Sequence, residues 1–201
     1  ILKNRSERFL KNGKLPGEGE AIHGDVRDID KRLQHNSVKM IFSSPPYLKV
    51  IKYGLYNWIR LWWILGDHRE IDEKLDDSHS IKPYLKFMKE VLETTLRTLD
   101  KKEGIACWVI GDVKNLNLAR EIWNEVGSKI EIKDNQGITH KYKLLGIIED
   151  KIGDEEKVTK IWNSKSGKAT PLDRILIIAP SNSNPTVYRK NKNILWNKTE
   201  D

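Results

Sequence analysis

The sequence predicts an α/β domain whose chemistry sits at the carboxyl ends of its strands. Two observations carry the prediction. Short apolar runs at 38–42 and 105–110 each stop at residues that break a strand, Ser44-Pro45-Pro46 and Gly111-Asp112. Between them, Ile81, Tyr84, Leu85, Met88, Val91, Leu92, Leu96 and Leu99 recur at helical spacing, which makes 81–99 one long amphipathic helix that packs on a sheet. Strand, helix and strand in that order fit an open α/β sheet, which binds its ligands beyond the strand ends.

The elements follow in order. Residues 1–12 read as a basic helix, ended by Asn12-Gly13 and a loop through Gly19. Residues 21–23 read as a short strand with Gly24-Asp25 at its carboxyl end, 28–33 as a short helix, and 38–42 as the central strand. Lys49 and Lys52 fall in the next loop, and an aromatic helix spans about 57–65, closed by Gly66. Residues 67–80 are polar and acidic, a loop with one helical turn. After the long helix, Gly104 restarts the chain as the buried strand 105–110, and a further helix covers 116–126. The last third changes character: 130–132, 143–149, 157–162 and 174–179 look like strands between turn-rich loops, an antiparallel edge. Residues 1–180 are expected to form the main portion, and Ser181-Asn-Ser-Asn-Pro185 to open a peripheral tail, 181–201.

The composition excludes several classes. At 201 residues, with 38% hydrophobic and 32% charged residues, the chain fits one domain large enough to bury a core. No apolar run reaches bilayer-spanning length, so the expectation is a cytoplasmic protein without a membrane partner. A single cysteine, Cys107, excludes an intrachain disulfide and a multi-cysteine zinc site. Its apolar surroundings mark it as a core residue rather than a nucleophile. The five histidines show no metal-ligand spacing, and no metal is assigned. A formal charge of +7 favours a polyanionic partner.

The chemistry centres on Ser44-Pro45-Pro46-Tyr47. Two prolines fix φ at consecutive positions and remove two backbone donors, so the strand ends abruptly in a rigid lip. The lip offers a hydroxyl, free carbonyls and one aromatic face. Those groups suit a flat, amine-bearing ring: Tyr47 stacks on its plane, while the Ser44 hydroxyl and Pro45 carbonyl accept hydrogen bonds from an exocyclic NH2. A nucleobase inside a duplex would have to be flipped out to reach it.

This lip, with an apolar strand before it, His23-Gly24-Asp25-Val26-Arg27-Asp28 upstream and the aromatic stretch 53–63 downstream, resembles the catalytic region of the DNA amino-methyltransferases. The resemblance implies a Rossmann-like methyltransferase sheet with helices on both faces, S-adenosylmethionine as cofactor and DNA as partner, with RNA open to the same chemistry. In that family the serine form of the motif leans towards N4 of cytosine and the aspartate form towards N6 of adenine. The implied activity is therefore cytosine-N4 methylation, of the kind found in restriction-modification. An N6-adenine DNA or ribosomal RNA amino-methyltransferase is the alternative, and a nucleic-acid-binding subunit without cofactor is the non-enzymatic one. Carried over by position, Ser44, Pro45, Pro46 and Tyr47 are catalytic; Gly24 and Asp25 lie near the adenine end of the cofactor, and Ser43 or Ser44 lines its methionine end.

Other positions carry competing readings. Asp25 is a cofactor contact or a helix cap, and Asp112 equally a cofactor contact or a structural residue. Tyr53 and Asn57, near the lip, are candidates for substrate contact with Lys49 and Lys52, whereas Trp62 and Trp63 are assigned mainly to packing. The loop 163–170, with Lys165 and Lys168, suits phosphate contact or a solvated hairpin, and its spacing is not that of a P-loop. The family's glycine-rich cofactor motif is not found in residues 1–201: Gly17-Glu18-Gly19 follows Pro16 rather than an apolar strand and reads as a loop. Since the chain also starts at Ile1, the expectation is a carboxyl-terminal portion whose partner motif lies in an upstream segment or a second chain.

Overall fold

In a computed structural model, residues 19–48, 53–64, 66–70, 80–113, 116–150 and 172–186 are described. The expected helix at 1–12, the strand at 157–162, Lys49, Lys52 and the loop bearing Lys165 and Lys168 lie outside the described residues.

The described strands form one mixed sheet. They are β1 (Met40–Ser43), β2 (Ile105–Gly111), β3 (Glu131–Lys133), β4 (Thr139–Asp150) and β5 (Asp173–Pro180), in the order β1-β2-β5-β4-β3. β1 and β2 are parallel, with Ser43 opposite Trp108, and the other pairs are antiparallel. A parallel pair needs a crossover, and the chain makes it through helices α1 (Tyr53–Tyr56), α2 (Trp58–Trp63) and the long α3 (Ile81–Thr98). Helix α4 (Leu118–Glu125) follows β2, capped by Asn117, whose side chain accepts from the Arg120 N–H at 2.9 Å.

The core explains why these segments hold. Tyr84, Met88, Leu92 and Leu96, spaced four apart on α3, are buried with Ala106, Trp108 and Ile110 of β2, Leu176 and Ile178 of β5, and Leu118, Ala119 and Ile122 of α4. Each large apolar side chain among them contributes about 1.5–3 kcal/mol by leaving water. A smaller cluster on alternate positions, Ile105, Cys107 and Ile177, is packed by Leu145, Ile148 and Ile175. The turn from α3 into β2 is tight enough to require glycine: a Cβ on Gly104 would stand 2.3 Å from the Asp100 carbonyl oxygen. Asp100 holds that turn by accepting from the Lys102 and Glu103 N–H groups, both at 2.8 Å.

Several expectations are corrected. Residues 21–23 form no strand, and the helix at 28–33 is a 3₁₀ helix, Val26–Lys31. The strand expected at 38–42 is Met40–Ser43, and Val38 makes only an isolated bridge to Leu99. Among the described strands β1 stands at one end of the sheet rather than at its centre, since β2 is the one described strand that pairs with it. The expected aromatic helix is two short ones broken at Asn57, and α4 starts at its Asn117 cap rather than at Leu116. β4 runs longer than expected and passes a bulge between Leu144 and Gly146. Among the described residues, no helix is long and apolar enough to cross a membrane.

Candidate active site

The proline lip is held at both ends. β1 carries it in on the parallel ladder as far as Ser43, and prolines at 45 and 46 then supply no N–H for further pairing. At the far end Leu48 is 2% exposed and belongs to the main core with Tyr84 and Met88. Between these anchors Ser44 is exposed, Pro45 buried, and Pro46 and Tyr47 half-buried. The lip therefore presents Ser44 to solvent on a backbone that the ladder and the core restrain. Leu48 escaped the sequence reading, and the signal for it was an apolar residue directly after the motif.

Asp112 shares the carboxyl edge of the parallel pair with the lip. β2 continues three residues past the partner of Ser43, so Asp112 lies about 13 Å further along the strand direction. It is buried, and both carboxylate oxygens are engaged: Oδ2 accepts from Arg174 Nε at 2.8 Å, and Oδ1 from the Leu118 N–H at 3.3 Å. Arg174 also pairs through Nη1 with Glu149. Burial opposes the charge on Arg174, but the hydrogen bonds and charges of the two carboxylates outweigh it and raise its pKa. Asp112 thus ties the end of β2 to β5 and to the start of α4. Trp108, opposite Ser43, is 1% exposed, and its indole N–H has no hydrogen-bond partner among the described residues.

Gly24 and Asp25 lie outside the described strands, just before the 3₁₀ helix. Asp25 caps the 3₁₀ helix: Oδ1 accepts from the Arg27 N–H at 2.9 Å, and Oδ2 pairs with Arg27 Nη2 at 2.6 Å. These side-chain and backbone bonds from Arg27 lower the Asp25 pKa. Arg27 lies over the Phe87 ring and reaches Glu90 at 3.4 Å, so this corner rests against the middle of α3. The side chain of Asp25 remains 43% exposed. Nothing lies within 4 Å of a Cβ built on Gly24, so no steric contact demands glycine there.

The aromatic segment departs from expectation. Tyr53 opens α1, and its side chain lies outside the described residues. Asn57 accepts from Arg60 Nη1 at 2.7 Å. Trp62 and Trp63, expected to serve packing, are 65% and 75% exposed and stack edge to face on each other at 5.6 Å. A six-residue helix turns its rings in several directions, and those two face away from the core. Among the described residues, no group of three or more His, Cys, Asp or Glu side chains is placed to hold a metal.

No family model and no curated protein matches the chain. Among solved structures, the chain is similar to a protein described as a candidate DNA modification methylase from Thermus thermophilus, complexed with S-adenosyl-L-methionine, at 16% identity and a TM-score of 0.42. The match covers 84% of this chain and 56% of that one, and the selenomethionine form of the same protein matches at a TM-score of 0.41. The chain thus spans little more than half the length of that protein. A likeness at this level leaves the reading of the site to the residues themselves.

Proposed function

We propose that the chain is the acceptor-side portion of an S-adenosylmethionine-dependent DNA methyltransferase acting on the exocyclic N4 amine of cytosine. The observation that carries the reading is the lip: an exposed Ser44 and a half-buried Tyr47 on a backbone restrained by the β1 ladder and by Leu48. The solved structure described above is named as a DNA modification methylase with S-adenosyl-L-methionine, in keeping with this reading, which rests on the lip.

The amine of cytosine is a poor nucleophile because its lone pair is delocalised into the ring. In this reading Tyr47 holds the ring by stacking, while the Ser44 hydroxyl and Pro45 carbonyl accept the amine hydrogens and localise the lone pair. Positioning and preorganised acceptors then supply the acceleration without a covalent intermediate. The cofactor, when bound, supplies an electrophilic methyl on a sulfonium. Asp25 would meet it through a solvent-facing carboxylate, a ribose hydroxyl sharing the oxygens that Arg27 already engages, and Ser43 stands beside the acceptor. Asp112 suits it poorly, since Arg174 and Leu118 already use its oxygens, and in this reading its role is to fix the strand edge.

The test is methylation of defined oligonucleotides by the protein, followed by mass spectrometry of the nucleosides. N4-methylcytosine supports the proposal. N6-methyladenine overturns the cytosine assignment, and tight binding of DNA with no methylated product under any supply of cofactor favours the non-enzymatic reading.

A further inference from the structure

At the opposite ends of β1 and β2 from the lip, a cavity of about 520 Å³ opens between the residues preceding these strands and the turn that joins β3 to β4. β2 alone separates the two ends by about 23 Å. The volume is that of a small-molecule site. Three cations line it, Arg97, Lys101 and Lys133, against one carboxylate, Asp134, with His35 and His140 beside them.

The carboxylate is fully engaged, whereas the cations keep donors to spare. Asp134 Oδ2 lies 2.9 Å from His140 Nε2, and its Oδ1 accepts from the N–H groups of Gln136 and Ile138, both at 2.9 Å. Lys101 Nζ donates to the Leu96 carbonyl at 2.9 Å and the Tyr142 hydroxyl at 2.8 Å. A third proton remains, and no described carboxylate lies at ion-pair distance. Arg97 spends Nη1 on Asp30 at 2.8 Å, leaving its other donors. Lys133 and His35 make no side-chain hydrogen bond or ion pair among the described residues. Burial pushes the Lys101 pKa down to about 8, the mark of an ammonium without sufficient counter-charge. A partly desolvated cation of this kind gains from an anion that can enter the cavity.

We propose that this cavity binds a small phosphate-bearing molecule of mononucleotide size, its phosphate held by Lys101, Arg97 and Lys133. The cluster of donors matches a phosphate's several acceptor oxygens, and the amide side chains of Gln34 and Asn135 in the lining can hydrogen-bond the remainder of the ligand. The concave shape favours a free ligand over the backbone of a duplex. The site stands apart from the lip and does not depend on the reaction assigned to it.

Calorimetry on the full chain tests this with inorganic phosphate, adenosine 5′-monophosphate and a short DNA duplex as separate titrants. Saturable binding of the first two is expected. Lys101→Met should weaken it by about tenfold or more, the loss of a charge-assisted hydrogen bond. Lys133→Glu, at an exposed residue whose substitution leaves the fold intact, should weaken it by about tenfold through charge reversal. Lys86→Ala, on the exposed side of α3, should leave it unchanged. The proposal is overturned if neither small titrant binds, if Lys133→Glu binds them as well as the parent, or if only the duplex binds through these residues, which would make the cavity part of a nucleic-acid surface.

Discussion

Replacing Arg174 by methionine isolates the interaction that ties the edge of the candidate site together. Arg174 lies opposite Ile110 on one side and Glu149 on the other, and its guanidinium reaches across to Asp112. The three side chains are nearly closed to water, at 11% exposure for Arg174, 8% for Asp112 and 13% for Glu149. Methionine retains most of the aliphatic volume but takes the buried guanidinium charge away from two carboxylates, a change that typically destabilises by about 3–5 kcal/mol. With a urea slope of about 2 kcal/mol per molar, the unfolding midpoint should fall by about 1.5–2.5 M. Equilibrium urea unfolding followed by tryptophan fluorescence measures this directly. Adding Asp112→Asn and Glu149→Gln to the same variant removes both negative charges that faced Arg174 and should recover most of the loss. A midpoint shift below about 0.5 M for Arg174→Met would refute the reasoning. An undiminished loss in the triple variant would show that packing, not charge, was at stake.

Four further outcomes are expected. Tyr47→Ala should remove base stacking, worth about 1–3 kcal/mol, and cut methyl transfer strongly with an unchanged circular dichroism spectrum; near-normal turnover would rule out the catalytic assignment. Leu48→Ala should destabilise the chain by about 2–5 kcal/mol in urea unfolding, and a neutral effect would show that Leu48 does not anchor the lip. Burial pushes the Cys107 thiol up to about 11, so an alkylating reagent at neutral pH should label it only after unfolding, and rapid labelling of the native protein would contradict its place in the core. Folded Lys101 releases its proton at about 8 against 10.5 for the ordinary side chain, so between these values the unfolded state binds more protons and stability rises with pH. The stability difference between parent and Lys101→Met should therefore move in favour of the parent by about 1–2 kcal/mol across that window, the full shift being discounted for partial solvent screening; a flat difference would refute it.

Much of the fold was legible because its rules act over a few residues. The apolar spacing of α3 reappears as the buried set Tyr84, Met88, Leu92 and Leu96. The prolines at 45 and 46 stop β1 by their own covalent geometry, whatever surrounds them. The antiparallel strands expected at 130–132, 143–149 and 174–179 were legible as strand-like runs between turns, although the extent of β4 and its bulge were not. Boundaries that a hydrogen bond decides, such as the Asn117 cap, moved by a residue or two.

By itself, then, the sequence determined the α/β class, the long helix, the two strands that share a carboxyl edge, and the lip at the end of the first. Only the tertiary structure decided what surrounds that edge. Arg174 meets Asp112 across 62 positions of sequence because β5 inserts beside β2, and no local pattern encodes that neighbour. Trp62 and Trp63 are large apolar rings on a helix, yet they stand in solvent, since residue type and helix position do not fix what lies opposite. The cation-lined cavity likewise joins Arg97 and Lys101 to Lys133 from separate elements. Covalent geometry and periodicity are properties of neighbouring residues, whereas charge pairing and exposure depend on sheet order and register, which long-range packing sets.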